Sequence, residues 1–94
     1  MIDTKRVDCN NHTIYEKDVI IVKYNDGTFY GKYDVGVVYY DVNNCQFYIS
    51  CFCGEEVEFK ECSYIEYKDS LYRHPNKTGY EVLKIWEEEL YKYE

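Results

Sequence analysis

Val19-Ile20-Ile21-Val22 constrains this chain more than any other stretch. All four residues are β-branched, which stiffens the side chain at χ1 and fits a pleated, buried surface better than a helix. A strand from Asp18 to Tyr24 is therefore the first element expected. The residues from Ile14 onward read as a turn that launches it. Asn25-Asp26-Gly27 closes it, because these residues tolerate the positive φ that a tight hairpin demands. The later apolar segments gain a pairing partner from this strand.

Upstream, Ile2 and Val7 allow a short strand lead-in, and Asn10-Asn11 marks a turn. Downstream, Thr28 to Tyr33 is rich in Tyr and Phe but broken by Gly31, as at a bulge or bend. Gly36 to Asp41 is the next strand, with Val37 and Tyr39 on one face and Val38 and Tyr40 on the other. Asn43-Asn44 signals a second hairpin. Cys45 to Phe52 is apolar on both faces and is expected to be a central strand. After the turn at 53–56, Val57 and Phe59 alternate with Glu56, Glu58 and Lys60, the pattern of a half-exposed strand. Cys62 to Tyr67 alternates as well.

The period then changes. Thr78-Gly79-Tyr80-Glu81 is a capping-box signature, and Pro75 forbids an earlier helical start. Leu83, Trp86, Leu90 and Tyr93 recur at helical spacing, broadened by Val82 and Ile85. An amphipathic helix over 79–93 is expected, with Trp86 turned into the core. Together these signals predict a mainly β single domain over residues 1–94. Its body is a small barrel of roughly five or six antiparallel strands at 14–75, covered by the C-terminal helix.

A net charge of −7 disfavours direct binding to nucleic acid and to anionic membranes. A basic protein surface would instead be attracted. No apolar run approaches a membrane span, and Met-Ile-Asp-Thr-Lys-Arg is no signal peptide. Cysteines at 9, 45, 51, 53 and 62 are odd in number and match no disulfide framework. Reduced cysteines in a cytoplasmic protein are expected. If Cys51 and Cys53 share a strand, both sulfurs face the same side. With no Cys-x2-Cys pair and only His12 and His74 as further ligands, neither a metal nor another cofactor is expected.

Two separated pieces, Ile14-Tyr15-Glu16-Lys17-Asp18-Val19 and Leu71-Tyr72-Arg73-His74-Pro75, resemble the opening and closing motifs of the YopX family. These are small proteins encoded mostly by bacteriophages and prophages of low-GC bacteria. Between them, Gly36-Val37-Val38-Tyr39 and Phe47-Tyr48-Ile49 are similar to the family's Gly-x-Val strand and aromatic return strand. Lys17 stands where the family has Gly, and Asp69-Ser70 where Gly-Asn is common. The helix after Pro75 is longer than the family's short tail. The resemblance implies an SH3-like barrel, a phage-type origin and hence the host cytoplasm. It implies no chemistry.

Nothing in the sequence assembles a catalytic site: there is no phosphate loop, and the Cys51-x-Cys53 pair has no nearby basic residue to lower a thiol pKa. A non-enzymatic protein is expected. Glu55, Glu56, Glu58 and Glu61 surround one hairpin, while Glu87, Glu88 and Glu89 line the helix. Such rows imitate phosphate spacing and suit the basic groove of a host defence or nucleic-acid-binding protein. Tyr39 and Tyr40 are candidate aromatic anchors beside them. These carboxylates serve equally well as solubility charges. Two other classes stay open. A sponge for a nucleotide signal would stack a base on Tyr30, Tyr33, Tyr39, Tyr40 or Tyr48, although no basic pocket is visible. A homo-oligomeric structural module would pair copies through the Trp86 face.

Overall fold

The structure, a computed structural model, describes residues 2–24 and 33–93. The expected turn at Asn25-Asp26-Gly27 and the segment from Thr28 to Lys32 lie outside the described residues. The strands are β1 (Asp3–Val7), β2 (Thr13–Tyr15), β3 (Asp18–Tyr24), β4 (Tyr33–Asp41), β5 (Gln46–Cys51), β6 (Glu56–Glu58) and β7 (Cys62–Ser70). One α-helix follows, α1 (Gly79–Glu87). β1 and β2 form an antiparallel pair, and the other five make an antiparallel sheet in the order β6-β5-β4-β3-β7.

All four residues of the Val19–Val22 run are fully buried because this sheet is covered on both faces. Val19 and Ile21 pair with Val37 and Val35 of β4 and meet Val82 and Leu83 of α1, with Trp86 and Leu90 packed at the margin. Ile20 and Val22 point the other way, toward Val38, Ile49, Cys51 and Ile65. Ile14 of β2 and Phe59, in a 3-10 turn at Phe59–Glu61, close that second layer. Gly36 lies within β4 rather than at its start. A Cβ there would overlap Ile49 Cγ2 and stand 3.0 Å from the Ser50 carbonyl oxygen. The strand runs through Gly36 unbroken because its neighbours leave no room for a side chain.

The mainly β fold with a C-terminal helix is as expected, but the sheet does not close into a barrel. The outward groups of β7 are met instead by the N-terminal segment. The Cys9 amide donates to Ile65 O at 3.0 Å, and the Tyr67 amide donates to Asp8 Oδ2 at 2.8 Å. Burial would raise the Asp8 pKa, yet amide donors from Tyr67, His12 and Asn10 hold it below its ordinary value.

Thr13–Tyr15 is a strand rather than a turn, so the turn before β3 is only Glu16-Lys17. Lys17 has φ 70°, the left-handed region that glycine adopts most easily. Its amide donates to Val38 O and its carbonyl accepts from the Leu71 amide, which ties the turn to β4 and to the end of β7. The capping box forms as a hydroxyl version. Thr78 Oγ1 accepts from the Glu81 amide at 3.2 Å and donates to Glu81 Oε1 at 3.3 Å. The α-helix stops at Glu87, and Glu88–Tyr93 tightens into 3-10 geometry.

Candidate functional site

Strand pairing decides which candidate residues share a face. Tyr39 lies opposite Tyr48, and Tyr48 opposite Glu58, so these three form one row across β4, β5 and β6. The next row holds Val37, Ser50 and Glu56. Both rows belong to the face that α1 covers farther along the sheet. The Tyr39 and Tyr48 rings lie 5.8 Å apart at 32°. Tyr39 reaches the start of α1, where a Cβ on Gly79 would stand 3.1 Å from its hydroxyl. Burial and then the neighbouring Tyr48 push its pKa up, so it stays a neutral phenol at pH 7.

A cleft of about 470 Å³ opens beside these rows, lined by Tyr40, Asp41, Val42, Gln46, Tyr48 and the three residues of β6. Asp41, Glu56 and Glu58 bring carboxylates to it, and no lysine or arginine lines it. Asp41 is held below its ordinary pKa, first by the Asn44 side-chain amide at 2.7 Å and then by the Asn43 and Asn44 backbone amides. Glu58 also pairs with Lys60 at 3.5 Å across an exposed surface. Val42, 73 % exposed, forms the apolar tip of the β4–β5 hairpin at the rim.

The structure thus brings Glu56 and Glu58 together with Tyr39 on one face. Tyr40 borders the cleft from the opposite face, where its ring packs 4.9 Å from Phe47. Glu55 and Glu61 are exposed at either end of the β6 segment, outside the cleft lining. Glu87 and Glu88 sit where α1 ends and are not part of this lining either. Asp41 and Gln46 were not among the candidates. Their signal was the pairing of the Asn43-Asn44 hairpin, which puts Asp41 opposite Gln46 at the mouth of the sheet.

A second polar cluster fixes the helix. Asp69, buried at the end of β7, accepts from Trp86 Nε1 at 3.0 Å and lies 2.7 Å from His74 Nε2. Its other oxygen accepts from the Ser70 amide at 2.8 Å. Burial works against this charge, but the His74, Ser70 and Trp86 hydrogen bonds hold its pKa below the usual value. The Asp-His pair is committed to anchoring α1, and Trp86 lies half-buried at the margin of the core rather than inside it. Cys51 is buried and Cys53 exposed, because β5 ends at Cys51 and the turn at Gly54 (φ 98°) reverses the chain. Burial raises the Cys51 and Cys62 thiols, Cys62 to about 11, so both stay protonated at neutral pH.

Among the described residues no group of three or more His, Cys, Asp or Glu converges as metal ligands, and no helix is long and apolar enough to cross a membrane. Comparison with protein-family models, curated proteins and solved structures gives no match, so the likeness to the YopX family rests on the sequence motifs alone.

Proposed function

We propose that this chain is a non-enzymatic, phage-type acidic binding protein that docks a basic partner in the host cytoplasm. Its role would be to inhibit a host defence or nucleic-acid-binding protein. The observation that carries this reading is the cleft beside β6, where three carboxylates and Tyr48 meet with no basic side chain in the lining. Such a surface repels phosphate and favours guanidinium or ammonium groups, which also stack on a tyrosine face. That chemistry argues against a nucleotide phosphate at this position. The homo-oligomeric reading is weakened because Trp86 packs against its own core and donates to Asp69. No disulfide joins the five cysteines, which suits a reducing compartment.

The test is a tagged pull-down from nuclease-treated bacterial lysate, read by mass spectrometry for proteins and for heat-released small molecules. A basic protein should be retained in stoichiometric amount, and Glu56→Gln with Glu58→Gln should weaken retention about tenfold at moderate salt, roughly 1 kcal/mol or less per rim charge. Glu87→Gln with Glu88→Gln should leave it unchanged. Equal retention by all three forms, or release of a nucleotide with no protein partner, sinks the proposal.

A further inference from the structure

On the opposite face of the same sheet margin lies a cleft of contrary charge. It measures about 420 Å³ and is lined by Thr4, Arg6, Gln46, Phe47, Phe59 and Lys60. No carboxylate contributes to its lining, although the chain as a whole carries a net charge of −7.

The backbone is shaped to place Arg6 there. Between the pairs Asp3–Tyr15 and Val7–Thr13, four steps along β1 span only two along β2, so β1 bulges. Lys5 takes φ 64° within that bulge, steadied by its backbone amide donating a hydrogen bond to Asp3 Oδ1 at 2.7 Å. A non-glycine residue in this region is strained, and surrounding contacts must hold it there. Thr4 Oγ1 supplies one such contact, donating to Ile14 O at 2.7 Å and accepting from the Arg6 amide at 3.3 Å. The Arg6 guanidinium then donates to Phe59 O at 2.7 Å and to Cys62 O at 2.8 Å. It also lies 5.0 Å from the centre of the Phe59 ring.

Two nitrogens are thereby fixed on neutral carbonyls, and the half-buried positive charge has no carboxylate among its described partners. A charge withdrawn from water normally finds a counterion. Phe47 and Phe59, with ring centres 6.3 Å apart at 65°, supply apolar wall beside it. Lys60 stands at the rim, its side chain 70 % exposed and its ammonium shared with Glu58. The volume falls within the range of small-molecule sites, which join an apolar wall to a few placed polar groups.

We propose that this cleft binds a small ligand in which a flat aromatic body carries an anionic group. The anion pairs with Arg6 and Lys60, and the ring lies against Phe47 and Phe59. The site shares Gln46 and the Glu58–Lys60 pair with the acidic cleft, but its Arg6 and phenylalanine wall lie outside that cleft.

The probes are 2-naphthoate, 2-naphthyl phosphate and the neutral 2-naphthalenemethanol, titrated into the ¹⁵N-labelled chain and followed by NMR. Both anions should give saturable shifts centred on the Arg6 side chain and the amides of Phe47, Phe59 and Lys60. The tighter of the two names the preferred anion. The alcohol should bind at least about tenfold more weakly. Lys60→Glu changes an exposed side chain and keeps the fold. It should weaken both anions about tenfold while leaving the alcohol within about twofold. Arg6→Lys retains the charge but loses the rigid fork, and should weaken the anions as well. Anions and alcohol binding alike, absence of saturation by about 5 mM, or shifts centred on Tyr48 would each overturn the proposal.

Discussion

Gly36→Ala tests the packing logic of the whole sheet. In an open strand, alanine in place of glycine stabilises by about 0.5–1 kcal/mol, because the unfolded chain loses conformational freedom. Here the sign should reverse. The added methyl would overlap Ile49 Cγ2, and Ile49 is fully buried with Val57 paired on its far side. Ser50 O and Cys51 Cα, 3.0 and 3.4 Å away, belong to the adjacent strand and cannot retreat without bending it. Overpacking of this kind costs about 1–3 kcal/mol. Taking the upper part of that range, less the entropic gain, leaves a net loss of about 2 kcal/mol, or a fall in Tm of about 10 °C for a chain of this size. Urea unfolding followed by Trp86 fluorescence reads it directly. The partner substitution identifies the cause: Ile49→Leu removes Cγ2 and should recover part of the loss in the double variant. Ile49→Val keeps Cγ2 and should recover none. A Gly36→Ala protein as stable as the parent, or equal rescue by the two Ile49 variants, would refute the reasoning.

Lys17→Gly should raise stability by about 0.5 kcal/mol. It relieves the left-handed φ of 70° at the loss of a loose contact between Lys17 Nζ and the Tyr72 ring; urea unfolding measures the difference. Asp69→Asn and Asp18→Asn should differ in their effect on stability at pH 7, as measured by urea unfolding between pH 2 and 8. The Asp69 pKa is depressed in the fold, so the stability it contributes is present above the unfolded value near 3.9 and is lost as pH falls through the folded value. Asp18 is raised, mainly by burial, so its contribution is fullest below about 3.9 and is lost as pH rises through the folded value. At pH 7 Asp69→Asn therefore costs stability, while Asp18→Asn, still able to accept from the Tyr15 amide, costs none.

Local chemistry made most of the elements legible. The β-branched run at 19–22 and the Thr78 cap each state their structure within a few residues and are found, while the alternation around Val57 holds as a strand only over Glu56–Glu58 before Phe59 enters a 3-10 turn. What stayed hidden depends on partners far away in sequence. Gly36 reads as a strand boundary until Ile49 is known to fill the space where its side chain would be. Thr13–Tyr15 is too short to announce itself, and becomes a strand only because β1 lies beside it. The barrel stays open because Asp8, Cys9 and Arg6 take up backbone groups along β7, and no pattern inside β7 foretells that. Tyr39, Glu56 and Glu58 were legible as residues but not as a group. Their common face follows from the β4–β5–β6 register.

The acidic count misleads in the same way, because charge acts through position. Asp8, Asp18, Asp34 and Asp69 are buried, and at least three of them accept from backbone amides or the Trp86 indole N–H in bonds that fix turns or the helix. They add to the formal charge but offer a partner nothing to touch. The carboxylates that line the cleft at the β5–β6 margin are Asp41, Glu56 and Glu58, and they lie on one side of it. Arg6 and Lys60 lie on the other side, with Gln46 bordering both clefts. A thin sheet margin with opposite sign on its two faces orients whatever approaches. A basic protein is steered to one face and a small anion to the other, and Gln46 and the Glu58–Lys60 pair join the two clefts.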